Sequence, residues 1–284
     1  MRVLIFGASG LLGKALVHLW SDDEVIGLSS QDADIRDSHR VQELVEQNRP
    51  DWIVLAAAYT NVDGCETNRE LAFGVNRDGA VNVCESALSM GARLMFLSTD
   101  YVFDGKKITP YETGDQRNPQ SVYGRTKAEA EIRLLELNPD CCIVRTSWLF
   151  GSGGRCFPDT ILKLAASQPA LDVVDDQRGC PTYSEDLAGA IIQLCGKNAS
   201  GIVQATNAGD CTWFEFAKHI VEAAGADTEV RPVSSQRMAR PAPRPAYSVL
   251  SPASLHSYGI EMPSWPDGVE RYMKQRAGGL AVQP

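Results

Sequence analysis

The sequence has 284 residues, enough for one large domain or two unequal ones, and its 44% hydrophobic and 22% charged residues are typical of a globular protein. A net charge of −9 argues against a nucleic-acid or anionic-membrane surface, and no apolar run approaches the ~20 residues of a membrane span. Because the N-terminus also lacks a signal-peptide pattern, we expect a cytoplasmic protein that binds neither nucleic acid nor membrane.

The chain opens with a pattern of strand, glycine-rich turn and helix. Residues 2–6 read as a strand that is apolar from Val3 onward, the turn carries Gly7, Gly10 and Gly13, and an amphipathic segment continues to about Trp20. Glycines at these places allow a tight turn and bring a pyrophosphate close to the NH groups of the helix N-terminus. The pattern predicts a dinucleotide site, although a glycine turn without a ligand would look the same.

The end of the second predicted strand, at residues 24–28, bears on cofactor choice. In NAD-preferring sites an acid here accepts a hydrogen bond from the ribose 2′-hydroxyl, but this chain has Ser29, Ser30 and Gln31. No arginine in this stretch stands ready to bind a 2′-phosphate either. The sequence therefore leaves NADPH and NADH both open. Residues 32–35 read as a turn, and Asp37 can cap a helix that ends before Pro50.

Strands and helices continue to alternate along the first half of the chain. Apolar strands are predicted at 52–58, 94–97 and 141–145, with helical stretches at about 66–73 and 76–90. This alternation predicts an α/β fold with a Rossmann-type, doubly wound parallel sheet. We expect residues 1–150 to form the dinucleotide-binding domain. Residues 151–284 should form mainly a smaller mixed α/β substrate domain, with an approximate boundary and a C-terminal strand that can return to the first domain.

A hydroxyl-rich strand end and a tyrosine-lysine pair suggest proton chemistry. Thr99 follows the strand at 94–97, and Tyr123 and Lys127 lie four residues apart in a helix that Pro119 can start. A lysine ammonium beside a phenol favours the phenolate, which would make the tyrosine a usable acid near neutral pH. A partly buried aromatic ring beside a solvated lysine is the simpler interpretation of the pair.

The second half of the sequence has weaker patterns. Helices are predicted at about 159–167 and 184–195, strands at 171–174 and 202–205, and a helix capped by Thr212 that runs to Ala224. Arginines and prolines are concentrated at 231–245, which makes a poor helix. This stretch is a candidate anion-binding loop, or else ordinary solvated surface.

The cysteines do not suggest metal chemistry. The eight cysteines are scattered, with no C-x-x-C pair and no histidine at ligand spacing, so we interpret them as reduced structural thiols.

Several segments together resemble the dTDP-4-dehydrorhamnose reductases of the extended short-chain dehydrogenase/reductase superfamily, and the resemblance covers nearly the whole chain. The matching segments are the glycine loop at 7–13, Ala-Ala-Ala-Tyr-Thr-Asn-Val-Asp at 56–63, Ser-Thr-Asp-Tyr-Val-Phe-Asp-Gly at 98–105, Tyr-Gly-Arg-Thr-Lys at 123–127, Arg-Thr-Ser-Trp at 145–148, Asp-Gln-Arg-Gly-Cys-Pro-Thr at 176–182 and Arg-Pro-Ala-Tyr-Ser at 244–248.

The resemblance implies an NADPH- or NADH-dependent reduction of the C4 keto group of a nucleotide-linked sugar, first of all dTDP-4-dehydro-L-rhamnose. The implied catalytic residues are Thr99, Tyr123 and Lys127. The implied cofactor contacts are Gly7, Ser9, Gly10, Leu11, Leu12, Gly13, Asp34, Ile35, Ala58, Tyr59, Thr60, Leu97, Tyr123 and Lys127. The implied substrate contacts are Val62, Thr99, Asp100, Tyr101, Trp148 and Arg244, with plain core packing as the alternative for Trp148.

The resemblance also bears on assembly and on alternative functions. Some members dimerise around a metal held by an acidic C-terminal cluster, but this chain has no Asp or Glu beyond Glu270, so a homodimer is expected without a bridging metal. A related nucleotide-sugar reductase or epimerase is one alternative. The other is a non-catalytic subunit similar to the regulatory subunit of methionine adenosyltransferase, against which the intact Thr-Tyr-Lys triad argues.

Overall fold

The computed structural model describes residues 1–280, and its centre is a six-stranded parallel sheet. The strands of the whole chain are β1 (Arg2–Phe6), β2 (Glu24–Leu28), β3 (Trp52–Leu55), β4 (Arg93–Thr99), β5 (Cys142–Thr146), β6 (Leu149–Phe150), β7 (Ala170–Val174), β8 (Arg178–Gly179), β9 (Thr182–Tyr183), β10 (Gly201–Gln204), β11 (Cys211–Thr212) and β12 (Glu229–Val233). The central sheet has the order β10-β5-β4-β3-β1-β2 with every neighbouring pair parallel. The predicted doubly wound fold is confirmed.

Helices cover both faces of this sheet. The α-helices of the described residues are α1 (Leu11–Leu19), α2 (Ser38–Asn48), α3 (Val62–Thr67), α4 (Arg69–Phe73), α5 (Gly79–Met90), α6 (Val122–Leu137), α7 (Phe157–Ala165), α8 (Ser184–Gly196), α9 (Trp213–Ala223), α10 (Ala253–His256) and α11 (Trp265–Leu280). Alternate strand residues point to opposite faces, so Val3 and Ile5 pack under α1 and α8, whereas Leu4 and Phe6 pack under α2 and α5. Both faces are buried, which explains why the strands read as continuous apolar runs.

A second, smaller layer lies beyond the carboxyl ends of the strands. It consists of three two-stranded pairs, β6 with β9, β7 with β12 and β8 with β11, together with α7, α9 and α11. Its core is aromatic, with Phe150, Tyr183, Phe216 and Tyr272 buried together. The chain beyond residue 151 does not stay in this layer, because β10 pairs with β5 in the main sheet and α8 packs on α1.

Several element boundaries differ from the sequence expectation; the strand expected at 52–58, for example, ends at Leu55. The helix expected from about residue 66 begins at Val62, because the Asn61 side chain accepts a hydrogen bond from Gly64 N and caps it. The helix expected to start at Pro119 starts at Val122, where the Ser121 hydroxyl accepts from Gly124 N. The first part of the 231–245 stretch, expected as a loop, joins β12, whose partner β7 supplies the backbone hydrogen bonds.

The eight cysteines are all buried and free. Burial raises the pKa of Cys84 to about 12 and that of Cys141 to about 11, so these thiols stay protonated and unreactive. Within residues 1–280 no helix is long and apolar enough to cross a membrane, and no group of three or more His, Cys, Asp or Glu side chains is arranged to hold a metal ion.

Candidate active site

The glycine-rich turn after β1 has a shape that only glycine permits. Gly7 has φ +93°, and a Cβ there would lie 2.5 Å from the amide nitrogen of Ala57. A Cβ on Gly13 would lie 2.1 Å from the carbonyl oxygen of Gly7. The turn therefore packs against the residues that follow β3, the neighbour of β1 in the sheet, and against the first turn of α1. The N-terminus of α1 stays open to the space above the sheet.

That space is a cavity of about 840 Å³ at the carboxyl ends of β1, β3, β4 and β5. The strand order reverses direction beside β1, which is where open α/β sheets form their ligand crevice. Every cofactor and substrate residue implied by the resemblance lines this cavity, except Tyr59 and Arg244. The fold thus brings implied cofactor and substrate residues that lie far apart in the sequence into the lining of one cavity.

Tyr59 does not line the cavity because its surroundings hold it elsewhere. Its amide donates to Asn76 Oδ1 at 2.7 Å, and its carbonyl oxygen accepts from Asn76 Nδ2 at 3.1 Å. Asn76 is buried and also donates to the Thr126 hydroxyl on α6. Asn76 therefore fixes the backbone of Tyr59, between Ala58 and Thr60, which both line the cavity.

The strand end after β4 places hydroxyl and carboxyl groups at the floor of the cavity. The Thr99 hydroxyl donates to Asp100 Oδ1 at 3.0 Å and accepts from the Tyr101 amide at 3.2 Å. Burial raises the pKa of Asp100 to about 6, against the opposing effect of the Ser248 and Thr99 hydroxyls. Asp100 thus keeps its proton to a much higher pH than an ordinary aspartate, although it is still mostly ionised at neutral pH.

Tyr123 and Lys127 line the same cavity from the first turns of α6. Burial raises the pKa of Tyr123, and the charge of Asp100 raises it further, while the Thr99 hydroxyl opposes the change. Burial lowers the pKa of Lys127 to about 7, and its ammonium lies 3.8 Å from the centre of the Phe96 ring. The expectation that Lys127 lowers the tyrosine pKa is therefore wrong for the chain without ligands, because desolvation dominates both groups.

Glu131, which sequence reasoning missed, lies one helical turn beyond Lys127, and it is fully buried in an ion network with Arg145 and the partly exposed Arg117. Its Oε1 accepts from the Ser98 hydroxyl at 2.5 Å and from Arg145 Nε at 2.9 Å. Its Oε2 accepts from Arg145 Nη2 at 2.7 Å and from Arg117 Nε at 2.6 Å. Burial raises the pKa of Glu131, but the bonds from Arg145 more than offset this and hold it below its usual range. The four-residue spacing from Lys127 was the available signal.

Arg36 is a second residue that sequence reasoning missed. It lines the cavity together with Ser29 and Ser30, although no arginine was expected near the end of β2. Its guanidinium binds Asp34, with Nε 2.9 Å from Oδ1. The hydroxyl of Ser29 donates to Asp32 Oδ2 at 2.6 Å, which also accepts from the Ser29 amide. A cation therefore lies beside the hydroxyls that replace the usual ribose-binding acid.

Trp148 enters the cavity wall from a left-handed backbone, with φ +46°. This conformation is uncommon for a bulky residue and points to a functional or packing constraint. The indole is half-buried and stacks on Trp213 of α9, with ring centres 3.5 Å apart and planes at 8°.

Arg244 lies outside the first cavity and lines a second one of about 1030 Å³, between α7, β7 and the segment 235–244. Its guanidinium forms two parallel hydrogen bonds to Asp63, each 3.0 Å long. Arg240 lines the same cavity, with Nη1 3.7 Å from Asp63 Oδ2. The Arg244 guanidinium holds the pKa of Asp63 below its usual range. The segment is thus fastened to α3 by an ion pair.

The first cavity fits a nicotinamide dinucleotide. The two positions where a Cβ would collide with backbone, Gly7 and Gly13, are those that let a pyrophosphate approach the α1 N-terminus. Ile35 and Leu97 add apolar groups to the cavity lining, which suits the faces of the adenine and nicotinamide rings.

Comparison with known proteins agrees with this geometry. The family model described as RmlD substrate binding domain matches residues 1–277. A dTDP-4-dehydrorhamnose reductase from Mycolicibacterium smegmatis is 42% identical over 100% of this chain and 88% of its own length. The spore coat polysaccharide biosynthesis protein SpsK of Bacillus subtilis is 38% identical over 97% of this chain and 98% of its own.

Solved structures agree as well. A dTDP-4-dehydrorhamnose reductase from Bacillus anthracis, in complex with NADP, superimposes with a TM-score of 0.94 at 38% identity, covering 96% of this chain and 99% of that one. Another from Clostridium acetobutylicum gives a TM-score of 0.95 at 36% identity, covering 98% and 100%. The chain therefore belongs to the RmlD substrate binding domain family, the group of the extended short-chain dehydrogenase/reductase superfamily that includes the dTDP-4-dehydrorhamnose reductases.

Proposed function

We propose that the protein reduces the C4 keto group of a nucleotide-linked sugar with NADPH or NADH, and that its substrate is dTDP-4-dehydro-L-rhamnose, which becomes dTDP-L-rhamnose. The observation that carries the proposal is the convergence of Thr99, Tyr123 and Lys127 on the cavity formed by the glycine turn. The names of the similar reductases support the choice of sugar. The other similar names include a dTDP-4-keto-6-deoxy-D-glucose reductase, 39% identical over 91% of this chain, so that sugar is the second candidate.

In this mechanism a bound reduced nicotinamide supplies the hydride for the keto carbon. Tyr123 donates its phenolic proton to the oxygen that becomes negative, and Thr99 donates a hydrogen bond near the same oxygen. The raised pKa of Tyr123 keeps the proton on the phenol before substrate binds, which is the state that a general acid needs. Because an alkoxide is a stronger base than a phenolate, the transfer remains favourable. Lys127 holds the nicotinamide ribose and stabilises the phenolate once it forms.

The second cavity is the proposed site for the nucleoside diphosphate. The diphosphate is attached at C1 of the sugar, away from the C4 that must lie near Tyr123, so the nucleotide has to extend out of the first cavity. A protein of net charge −9 needs local cations to hold a diphosphate, and Arg240 and Arg244 line the second cavity.

A panel of nucleotide-linked 4-keto sugars tests the proposal, with loss of nicotinamide absorbance as the measurement. We expect turnover with the dTDP-linked 4-keto-6-deoxy sugars and stoichiometric oxidation of the cofactor. Conversion of the sugar without net cofactor oxidation would instead indicate an epimerase. A lack of turnover together with co-purification of a synthetase would indicate a regulatory subunit.

For cofactor choice, we expect NADH and NADPH to be used within about tenfold in kcat/KM, because a single contact of about 1.4 kcal/mol shifts the ratio by that much. Arg36→Ala should raise KM for NADPH about tenfold and leave that for NADH nearly unchanged, since only NADPH carries the 2′-phosphate. Arg40→Ala is the matched control, because Arg40 is a neighbouring surface cation outside the cavity. Equal effects of Arg36→Ala on both cofactors would contradict a phosphate contact.

For the diphosphate site, Arg244→Ala should raise KM for the nucleotide sugar by about tenfold or more and leave cofactor affinity unchanged, because an arginine fork binds phosphate with two hydrogen bonds. Lysine in its place should restore only part of the affinity. Isothermal calorimetry with dTDP measures the loss directly.

Asp63→Asn separates phosphate binding by Arg244 from a purely structural ion pair. If Arg244 exchanges Asp63 for phosphate, the amide frees the guanidinium and should lower KM, opposite to the effect of Arg244→Ala. If the pair only fastens the segment 235–244 to α3, both variants should weaken binding alike, and the phosphate role would be wrong. Arg240→Ala tests the neighbouring cation in the same way.

We expect a cytoplasmic enzyme that forms a homodimer without a bridging metal, as the resemblance implies.

A further inference from the structure

Trp213 lies between the two cavities, although neither the cofactor nor the substrate contacts described above include it. Among the residues that the structure describes, it is the one that lines both the cavity of the glycine turn and the second cavity. It is the first residue of α9, which Thr212 caps through a hydroxyl that accepts from the Glu215 amide. The cap and the packing of its ring against Phe157 and Phe216 hold the indole at the boundary between the two cavities.

The Trp213 indole covers one face of Trp148. The two rings are nearly parallel with centres 3.5 Å apart, which leaves no space between them. The other face of Trp148 is covered by Gly179, where an added Cβ would lie 2.6 to 2.8 Å from three adjacent atoms of the indole. Both faces of Trp148 are therefore occupied by the protein itself.

Because Trp148 lines the cavity that would hold the reacting sugar, a sugar ring could stack on its indole only if one of these two neighbours moved. Gly179 belongs to the backbone of β8, which pairs with β11 and cannot withdraw easily. Trp213 is a half-buried side chain between two cavities, so it has space to turn into. The same side chain also stands where the sugar and the nucleotide of one substrate would join.

We propose that Trp213 is a gate residue of the substrate site: its indole occupies the face of Trp148 that the sugar ring takes, and the nucleotide sugar binds by displacing it. This inference rests on the proposed function, because it requires one substrate to span both cavities. A nucleoside diphosphate alone fits the second cavity and leaves the indole pair stacked. A nucleotide sugar separates the pair.

Circular dichroism observes the stack, because two indoles in contact couple their transitions and give a paired band of opposite signs when the two transition directions are twisted relative to each other. We expect this band in the free protein, its loss in Trp213→Phe, and its retention in Trp265→Phe, since Trp265 lines neither cavity. With NADP⁺ present, saturating dTDP should leave the band in place and saturating dTDP-L-rhamnose should abolish it. Persistence of the band with bound dTDP-L-rhamnose would overturn the gate.

Kinetics provide a second readout. Trp213→Phe should lower KM for the nucleotide sugar about two- to tenfold, because the smaller phenyl ring leaves a weaker aromatic pair to be separated when the sugar binds. Trp265→Phe should leave KM unchanged. A raised KM in Trp213→Phe would mean that Trp213 holds the sugar, which overturns the gate. Absence of turnover with every nucleotide sugar overturns the proposed function and this inference with it, whereas turnover with an intact band overturns the gate alone.

Discussion

Tyr123→Phe is expected to lower kcat by a factor of about 10²–10⁴, the usual contribution of a positioned general acid. The phenolic proton is the one that the substrate oxygen receives, while the ring itself only packs edge-on against Tyr101, with ring centres 5.7 Å apart. Phenylalanine keeps that contact. Steady-state rates with saturating cofactor and nucleotide sugar measure the effect, and cofactor affinity should change little.

The matched control for Tyr123→Phe is Tyr258→Phe. Tyr258 also uses its hydroxyl in a hydrogen bond, donating to Ser200 O at 3.2 Å, but it lines neither cavity. Loss of the Tyr258 hydroxyl should leave kcat within about twofold of the wild-type value, since a substitution away from the site has little effect. Near-wild-type turnover by Tyr123→Phe would remove the phenol from the mechanism.

Glu131→Gln is expected to lower the free energy of unfolding by about 3–5 kcal/mol, because removing one partner of a buried ion pair leaves the other charge uncompensated. Arg145 would be that charge, since both side chains are fully buried. Urea denaturation of the whole chain measures the loss. The control is Glu129→Gln on the same helix, whose pair with Arg77 is partly exposed and contributes at most about 1 kcal/mol.

Glu131 should also act on catalysis through Lys127. The charge of Glu131 raises the Lys127 pKa, which burial lowers to about 7. Because the ammonium is the form that holds the ribose, kcat/KM for the cofactor should fall as pH rises through about 7. Glu131→Gln should move this fall to lower pH, since the lysine then loses its proton more readily. An unshifted pH profile would mean that Glu131 stabilises the fold and does nothing to Lys127.

The central sheet and the cofactor turn could be predicted because their signals are local. The apolar run at β1, the glycines that follow and the period of α1 lie within about twenty residues. The cap at Thr212 was equally local, and its helix begins where predicted. Helix starts at Val62 and Val122 were missed because other polar residues and a proline nearby offered competing caps.

The parts of the site that were not predicted depend on tertiary contacts. Arg36 reaches the cavity by folding back on Asp34, and no strand-end rule places an arginine there. The sequence identifies Arg145 only as a residue of a strand, because its ion-pair partner, Glu131, lies on the separate helix α6. The partner of Trp148 lies 65 residues later in the chain, on a helix of the second layer. Only the folded chain brings these side chains together.

Hydride transfer from labelled cofactor tests the central claim most directly. The protein is incubated with dTDP-4-dehydro-L-rhamnose and NADPH that carries deuterium at the transferred position of the nicotinamide, and the product is examined by mass spectrometry and NMR. We predict one deuterium at C4 of dTDP-L-rhamnose for each cofactor oxidised. A converted sugar without deuterium at C4, or no conversion by protein that binds both ligands, would contradict the proposed reduction.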